Sequence, residues 1–163
     1  LYMNKKYIMA IDQGTTGTTL SLVDRTGGLV AQGSEDFPQH FPHPGWVEHN
    51  PQEIWQSVEM AFQKLRSSKS FTVDEIAAIG ITNQRETAIV WDRITGKHLH
   101  NAIVWQCRRT EVFCQKLKKK KLEKRIQSKT GLLLDPYFSA SKFKWLLDHL
   151  PVKRPSADLA LGT

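Results

Sequence analysis

The residues whose types and spacing could do chemistry lie in short polar runs set between apolar ones. Ile8-Met9-Ala10-Ile11 leads into Asp12-Gln13-Gly14-Thr15-Thr16-Gly17-Thr18-Thr19. Four consecutive apolar residues suit a strand buried on both faces, and Asp12 at its end sets a carboxylate at the rim of a sheet, where it could organise a magnesium ion. Gly14 and Gly17 can take positive φ and bring backbone N–H groups close to phosphate oxygens, with threonine hydroxyls as further donors. The loop is not a Walker P-loop, because Gly-Lys-Ser/Thr is missing. It is not a dinucleotide fingerprint either, because a strand rather than a helix follows. The same residues also make an ordinary hairpin turn, where Asp and Gly are common for backbone reasons alone.

Three later runs carry polar groups that packing alone does not require. Asn83-Gln84-Arg85-Glu86-Thr87 stands between apolar stretches, and an adjacent Arg and Glu can grip hydroxyls as donor and acceptor. Such a pair suits a polyol, although a solvated loop with an incidental ion pair has the same composition. Trp105-Gln106-Cys107-Arg108-Arg109 offers an aromatic face followed by two cations, or else a core tryptophan before a basic helix start. Asp135-Pro136-Tyr137-Phe138-Ser139 sets a phenol on a stiff turn, which a structural tyrosine would also explain.

The elements that must position these groups follow from periodicity. Thr18 to Val23 alternates polar and apolar, and Asp24 to Gly28 turns the chain into Leu29-Val30-Ala31, a β-meander whose first hairpin would hold a nucleotide. Asn50 is an N-cap, with Pro51 at the first helical position and Glu53 three residues after the cap. That helix carries Ile54, Trp55, Val58, Phe62 and Leu65 on the side expected to pack on a sheet, and fades in Ser67 to Ser70. Ile76 to Thr82 reads as another buried strand. Ala88 to Trp91 is expected to pair, through a turn at Asp92 to Lys97, with a strand near Ala102 to Trp105. Thr110 to Thr130 reads as one helix or two, closed by Gly131. Ser139 is expected to cap a last helix through Phe143, Trp145, Leu146 and Leu147, and Pro151 to Pro155 reads as a loop.

Composition narrows the classes. The 163 residues are 40% hydrophobic and 24% charged, enough for one domain with a core. No apolar run approaches membrane-spanning length and no signal-like segment opens the chain, so membrane insertion is not expected and the cytoplasm is the expected location. Leu1 and Tyr2 precede Met3, which reads as the natural start. Cys107 and Cys114 are expected to lie on one helix as reduced, buried thiols. Much of the net charge of +7 sits in Lys116 to Arg125. There Val112, Phe113, Leu117, Leu122 and Ile126 mark one apolar side, so the lysines read as a solvated face rather than a nucleic-acid surface.

Taken together and in this order, the runs resemble the glycerol kinases of the FGGY sugar-kinase family. The matching stretches are Asp12 to Thr16, Pro44-Gly45-Trp46-Val47-Glu48-His49, Ile79 to Thr87, Asn101 to Arg109 and Asp135 to Ser139. The resemblance implies an α/β, ribonuclease H-like domain of the actin/hexokinase ATPase type, a mixed sheet with flanking helices. Residues 3–163 would be the N-terminal part of the first domain, truncated, with the C-terminal domain absent. It implies that Gly14, Thr15, Thr16 and Gly17 bind ATP, that Asp12 is catalytic through Mg2+, and that Thr15, Arg85, Glu86, Trp105 and Tyr137 bind glycerol.

The implied reaction is transfer of the ATP γ-phosphoryl group to glycerol, giving sn-glycerol 3-phosphate. The general base would lie beyond Thr163, so these residues alone would not turn over. The full-length enzyme would be a homo-oligomer. Kinases for another polyol or a ketose share the family, and a non-catalytic fragment is the alternative from another class. One departure stands out: many relatives follow Thr-Thr with Ser-Ser-Arg, whose arginine reaches a nucleotide phosphate, whereas this chain has Gly17-Thr18-Thr19.

Overall fold

Alternation of side chains builds the first sheet. In the computed structural model, which describes residues 5–150 and 156–163, β1 (Tyr7–Gln13), β2 (Gly17–Asp24) and β3 (Leu29–Asp36) form the expected antiparallel meander. β2 buries Thr18, Leu20 and Leu22 in strict alternation. α1 (Pro51–Ser68) covers that face with Ala61 and Leu65. The backbones of helix and sheet touch at Gly33, where a Cβ would come within 2.3 Å of the Ala61 carbonyl oxygen, so only glycine fits there. The chain then returns through β5 (Ile76–Thr82), which runs parallel to β1 and gives a mixed sheet of order β3-β2-β1-β5.

Three expectations about burial fail here. β5 is not a buried strand: Ile79 is 54% and Ile81 is 72% exposed. β1 buries Met9 but leaves Ile8 50% exposed, so it is covered on one face only. The reason is tertiary, since α1 lies over β2 and β3 on one side, and β5 is the sheet's edge. Trp55 likewise is 63% exposed rather than packed on the sheet, its indole donating to Glu59 at 3.0 Å.

The chain divides into two compact units, Leu1–Pro38 with Pro51–Gln84, and Gln39–Asn50 with Arg85–Thr163. The second unit is built on two short ladders, β4 (Glu48–His49) with β7 (Ala102–Ile103) and β6 (Ile89–Asp92) with β8 (Leu159–Gly162). The expected hairpin is only partly present. Asp92 does turn the chain, with its N–H on the Lys97 carbonyl, and single bridges join Ala88 to Ile103 and Trp91 to His98. The full ladder of β6, however, is made with β8, which periodicity did not reveal. The four residues of β8, Leu159 to Gly162, are too few to display alternation.

Helices α2 (Glu111–Lys119), α3 (Glu123–Thr130) and α4 (Ser139–His149) complete the unit. The break between α2 and α3 falls at Lys121, which takes φ 58°, and Gly131 closes α3 at φ 75°. Lys116, Lys119, Lys120 and Lys121 are exposed, as a solvated face requires; Val112, at 66% exposure, does not join the apolar side. Both cysteines are free and buried, but only Cys114 is on a helix. Among the described residues no helix is long and apolar enough to cross a membrane. Leu1 to Met3 and the Pro151–Pro155 loop lie outside the described residues.

Candidate functional site

The first group of candidate residues belongs to the first unit. β1 ends at Gln13 and β2 begins at Gly17, leaving Gly14-Thr15-Thr16 as the connection. Gly14 and Gly17 do not have the positive φ expected of them. Their role is close approach: a Cβ on Gly17 would lie 2.6 Å from Asp36 Oδ1 and 2.8 Å from the Glu35 carbonyl, and one on Gly14 would lie 3.1 Å from the Gly17 carbonyl. The Gly14 N–H donates to that carbonyl at 2.9 Å, so Gly14 shapes the turn and Thr15 and Thr16 form its tip.

The hairpin is anchored from below. Ser57 Oγ donates to the Ile54 carbonyl at 2.7 Å, which leaves Thr18 Oγ1 as the donor in its buried 2.7 Å bond to Ser57. Asp12 stands opposite Thr19 and Thr82, exposed, with no hydrogen bond or ion pair to its carboxylate among the described residues. Among those residues no group of three His, Cys, Asp or Glu side chains converges. A lone, unengaged carboxylate fits Mg2+ that keeps most of its waters and shares itself with phosphates, rather than a closed protein cage. At position 19, Thr19 Oγ1 pairs across the strands with Ser34 Oγ at 2.9 Å.

The second group belongs to the second unit, and the structure brings three of its members together. Glu86 adopts φ 62°, a left-handed conformation that costs a non-glycine residue about 1 kcal/mol or more. It thereby offers its carboxylate to the N-terminus of α4, where Oε2 accepts from the Ser139 N–H at 2.8 Å and from Ser139 Oγ. Ser139 is thus not the N-cap that was expected; Phe138 holds that position without a side-chain bond, and Glu86 supplies the anionic partner from a distant stretch. Both bonds go to Oε2, and Oε1 has no partner among the described residues.

Two residues before Ser139, the Tyr137 ring meets Trp105 edge-on at 5.8 Å and Phe138 at 5.1 Å. The Tyr137 N–H is held by Asp135 Oδ1 at 2.8 Å. Arg85 precedes Glu86 in an exposed position, and its guanidinium engages no other described residue.

Other matched motif residues prove to be structural. The Arg109 side chain is fully buried, pairs with Glu48 at 2.7 Å, donates to Cys107 Sγ at 3.0 Å, and lies 3.9 Å from the Trp46 ring and 4.6 Å from that of Trp145. Asn101 completes Glu48 at 3.0 Å. Arg108 is exposed and pairs instead with Glu111 at the start of α2 and with Asp135 ahead of α4. Sequence reasoning also missed Lys142, which has no exposed surface and whose Nζ donates to the carbonyls of Pro136, at 2.9 Å, and Tyr137. A signal existed: Lys142 stands four residues before the buried Leu146, a charge on the apolar stripe of α4.

A meander joined in parallel to a fourth strand, with a glycine and threonine hairpin beside a free carboxylate, defines a protein of the actin and hexokinase type of ATPase fold. Residues 7–163 match the N-terminal domain of the FGGY family of carbohydrate kinases, and the chain belongs to that family. It is 54% identical over 160 residues to a glycerol kinase of Rhizobium meliloti, covering 96% of this chain and 32% of the relative.

A crystal structure of Plasmodium falciparum glycerol kinase with ADP superimposes with a TM-score of 0.87 at 36% identity, over 96% of this chain and 32% of that one. A ligand-bound xylulose kinase of Lactobacillus acidophilus gives 0.79 at 28% identity, over 88% of this chain and 29% of its own. The chain therefore spans about a third of the length of the curated relatives it matches.

Proposed function

We propose that this chain supplies the phosphate hairpin and the polyol grip of an ATP-dependent glycerol kinase, forming sn-glycerol 3-phosphate. The observation that carries the reading is Glu86, whose Oε2 is anchored on α4 while Oε1 is left to accept from a hydroxyl. Arg85 would donate to the substrate's oxygens. The Trp105 and Tyr137 edges would exclude water along its carbons, with the phenol as a further donor. In the hairpin, Thr15 and Thr16 would donate to ATP phosphates, Gly17 allowing the close approach, and Asp12 would hold a hydrated Mg2+. When bound, that ion neutralises charge on the transferred group. What remains for the protein is positioning, which for phosphoryl transfer is most of the catalysis. The setting we infer is cytoplasmic and homo-oligomeric.

The identity to a glycerol kinase and the closer likeness to a glycerol kinase structure than to the xylulose kinase favour glycerol over a ketose. The test is a kinase in which residues 7–163 replace the matching third of the Rhizobium meliloti relative, assayed with ATP and Mg2+ against glycerol, xylulose and gluconate. Phosphorylation of glycerol, with Arg85→Ala raising its KM by roughly tenfold or more and leaving the ATP KM alone, is the expected result. Preference for a ketose would move the reading to that substrate class.

A further inference from the structure

Lys142 takes no part in the chemistry assigned above, yet it holds the turn of one principal side chain and shares α4 with the residue that holds the other. Its Nζ holds the carbonyls of Pro136 and Tyr137, and so fixes the turn that sets the Tyr137 ring against Trp105. Three residues earlier on the same helix, Ser139 holds Glu86. No carboxylate lies within ion-pair distance of Lys142 among the described residues. Burying an ammonium on two carbonyls is less favourable than filling the same space with an apolar side chain, so packing does not explain it.

We propose that Lys142 is a positioning residue for the polyol site, its buried ammonium holding the Tyr137 turn while Ser139, on the same first turns of α4, aims Glu86 Oε1 outward. The inference rests on the polyol reading of Glu86, Trp105 and Tyr137. It also makes the grip depend on pH. Burial pushes the Lys142 ammonium from the ordinary 10.5 down to about 8, opposed by the carboxylates of Glu86 and Asp135 that face it; the thiols of Cys107 and Cys114 face it as well. Burial raises the Cys114 thiol, so that group stays neutral where Lys142 titrates. Once the amine is neutral, its charge-assisted bonds fall to roughly half their strength, and the turn loosens.

The experiment uses the hybrid kinase with Lys142→Met, Lys142→Arg, Arg85→Ala and Glu86→Ala, following the KM of both substrates from pH 7 to pH 9. Lys142→Met should raise the glycerol KM by roughly tenfold with the ATP KM within about twofold, and Lys142→Arg should recover part of the loss. The unsubstituted kinase should lose glycerol affinity by about threefold across that range, as charge-assisted bonds weaken, and Lys142→Met should show no such slope.

A glycerol KM untouched by Lys142→Met, or equal rises for both substrates, overturns the positioning role. If Lys142→Met does not fold, the unsubstituted profile decides, and a flat glycerol KM overturns the proposal. Should Arg85→Ala and Glu86→Ala also leave glycerol alone, the polyol reading itself falls. If they raise its KM while Lys142→Met does not, only the role of Lys142 falls.

Discussion

The two groups of candidate residues are built in opposite ways. The hairpin of the first unit is exposed at its working end: Asp12 has no side-chain partner among the described residues, and the loop owes its shape to backbone contacts that tolerate no Cβ at Gly17. In the second unit Glu86 and Tyr137 are held by other residues, while Arg85 stands exposed with no partner among the described residues. Glu86 is fixed by Ser139, Tyr137 by Lys142 through its carbonyl, and the surrounding motif by an arginine buried between two tryptophans. The difference suits the ligands. Phosphates bring their own charge and metal, so a shaped backbone suffices, whereas a small neutral polyol offers only hydroxyls and must meet side chains already fixed in direction.

The largest effect should come from the exposed side. In the hybrid kinase Asp12→Asn keeps size and most hydrogen bonding but removes the charge, and should lower kcat by about a hundredfold or more with glycerol KM nearly intact. A loss below roughly tenfold, worth ~1.4 kcal/mol, would reduce Asp12 to a hairpin residue and erase half of the contrast. Next is the buried pair. Arg109→Ala strands Glu48 in the core and should cost about 3–5 kcal/mol of stability, read as the midpoint of denaturant unfolding. A loss under ~1 kcal/mol would show that the second unit is not organised around that arginine.

Lys142 sharpens the contrast through stability. Because its folded value is depressed to about 8 from 10.5, the unfolded chain binds more protons between those limits. Its contribution to stability should therefore rise with pH across that window, by up to about 3 kcal/mol, and the difference between Lys142 and Lys142→Met should change accordingly. A difference constant from pH 7.5 to 10 would mean that the amine is not desolvated.

The smallest effect separates two variants at Glu86. Glu86→Gln keeps one oxygen for Ser139 but turns a donor toward the polyol, while Glu86→Ala loses both contacts. The alanine variant should have the higher glycerol KM, by about 1 kcal/mol in binding. Equal KM values would mean that charge alone matters at this position.

What could be read from the sequence was whatever local periodicity encodes. Thr18 to Val23 alternates because one face of β2 meets α1, and the Asn50-Pro51-Gln52-Glu53 start and the Gly131 stop are written in local backbone chemistry. The exposure of Ile79 and Ile81 was not legible, because an apolar run does not say which face another layer covers. The partnership of β6 with β8 spans some seventy residues and is too short for a pattern. At the candidate site the residue types were visible but their couplings were not. Nothing near Glu86 announces that Ser139 will hold one of its oxygens, and Ser139 looked like a cap because serine before an apolar helix usually is one.

The most direct measurement is a crystal structure of the hybrid kinase with glycerol bound. The account predicts Glu86 Oε1 within hydrogen-bond distance of a glycerol hydroxyl while Oε2 stays on Ser139, with the Tyr137 and Trp105 rings against the carbons. Glycerol bound elsewhere, or a Glu86 that leaves Ser139 to reach it, would contradict the claim that this site is fixed before its substrate arrives.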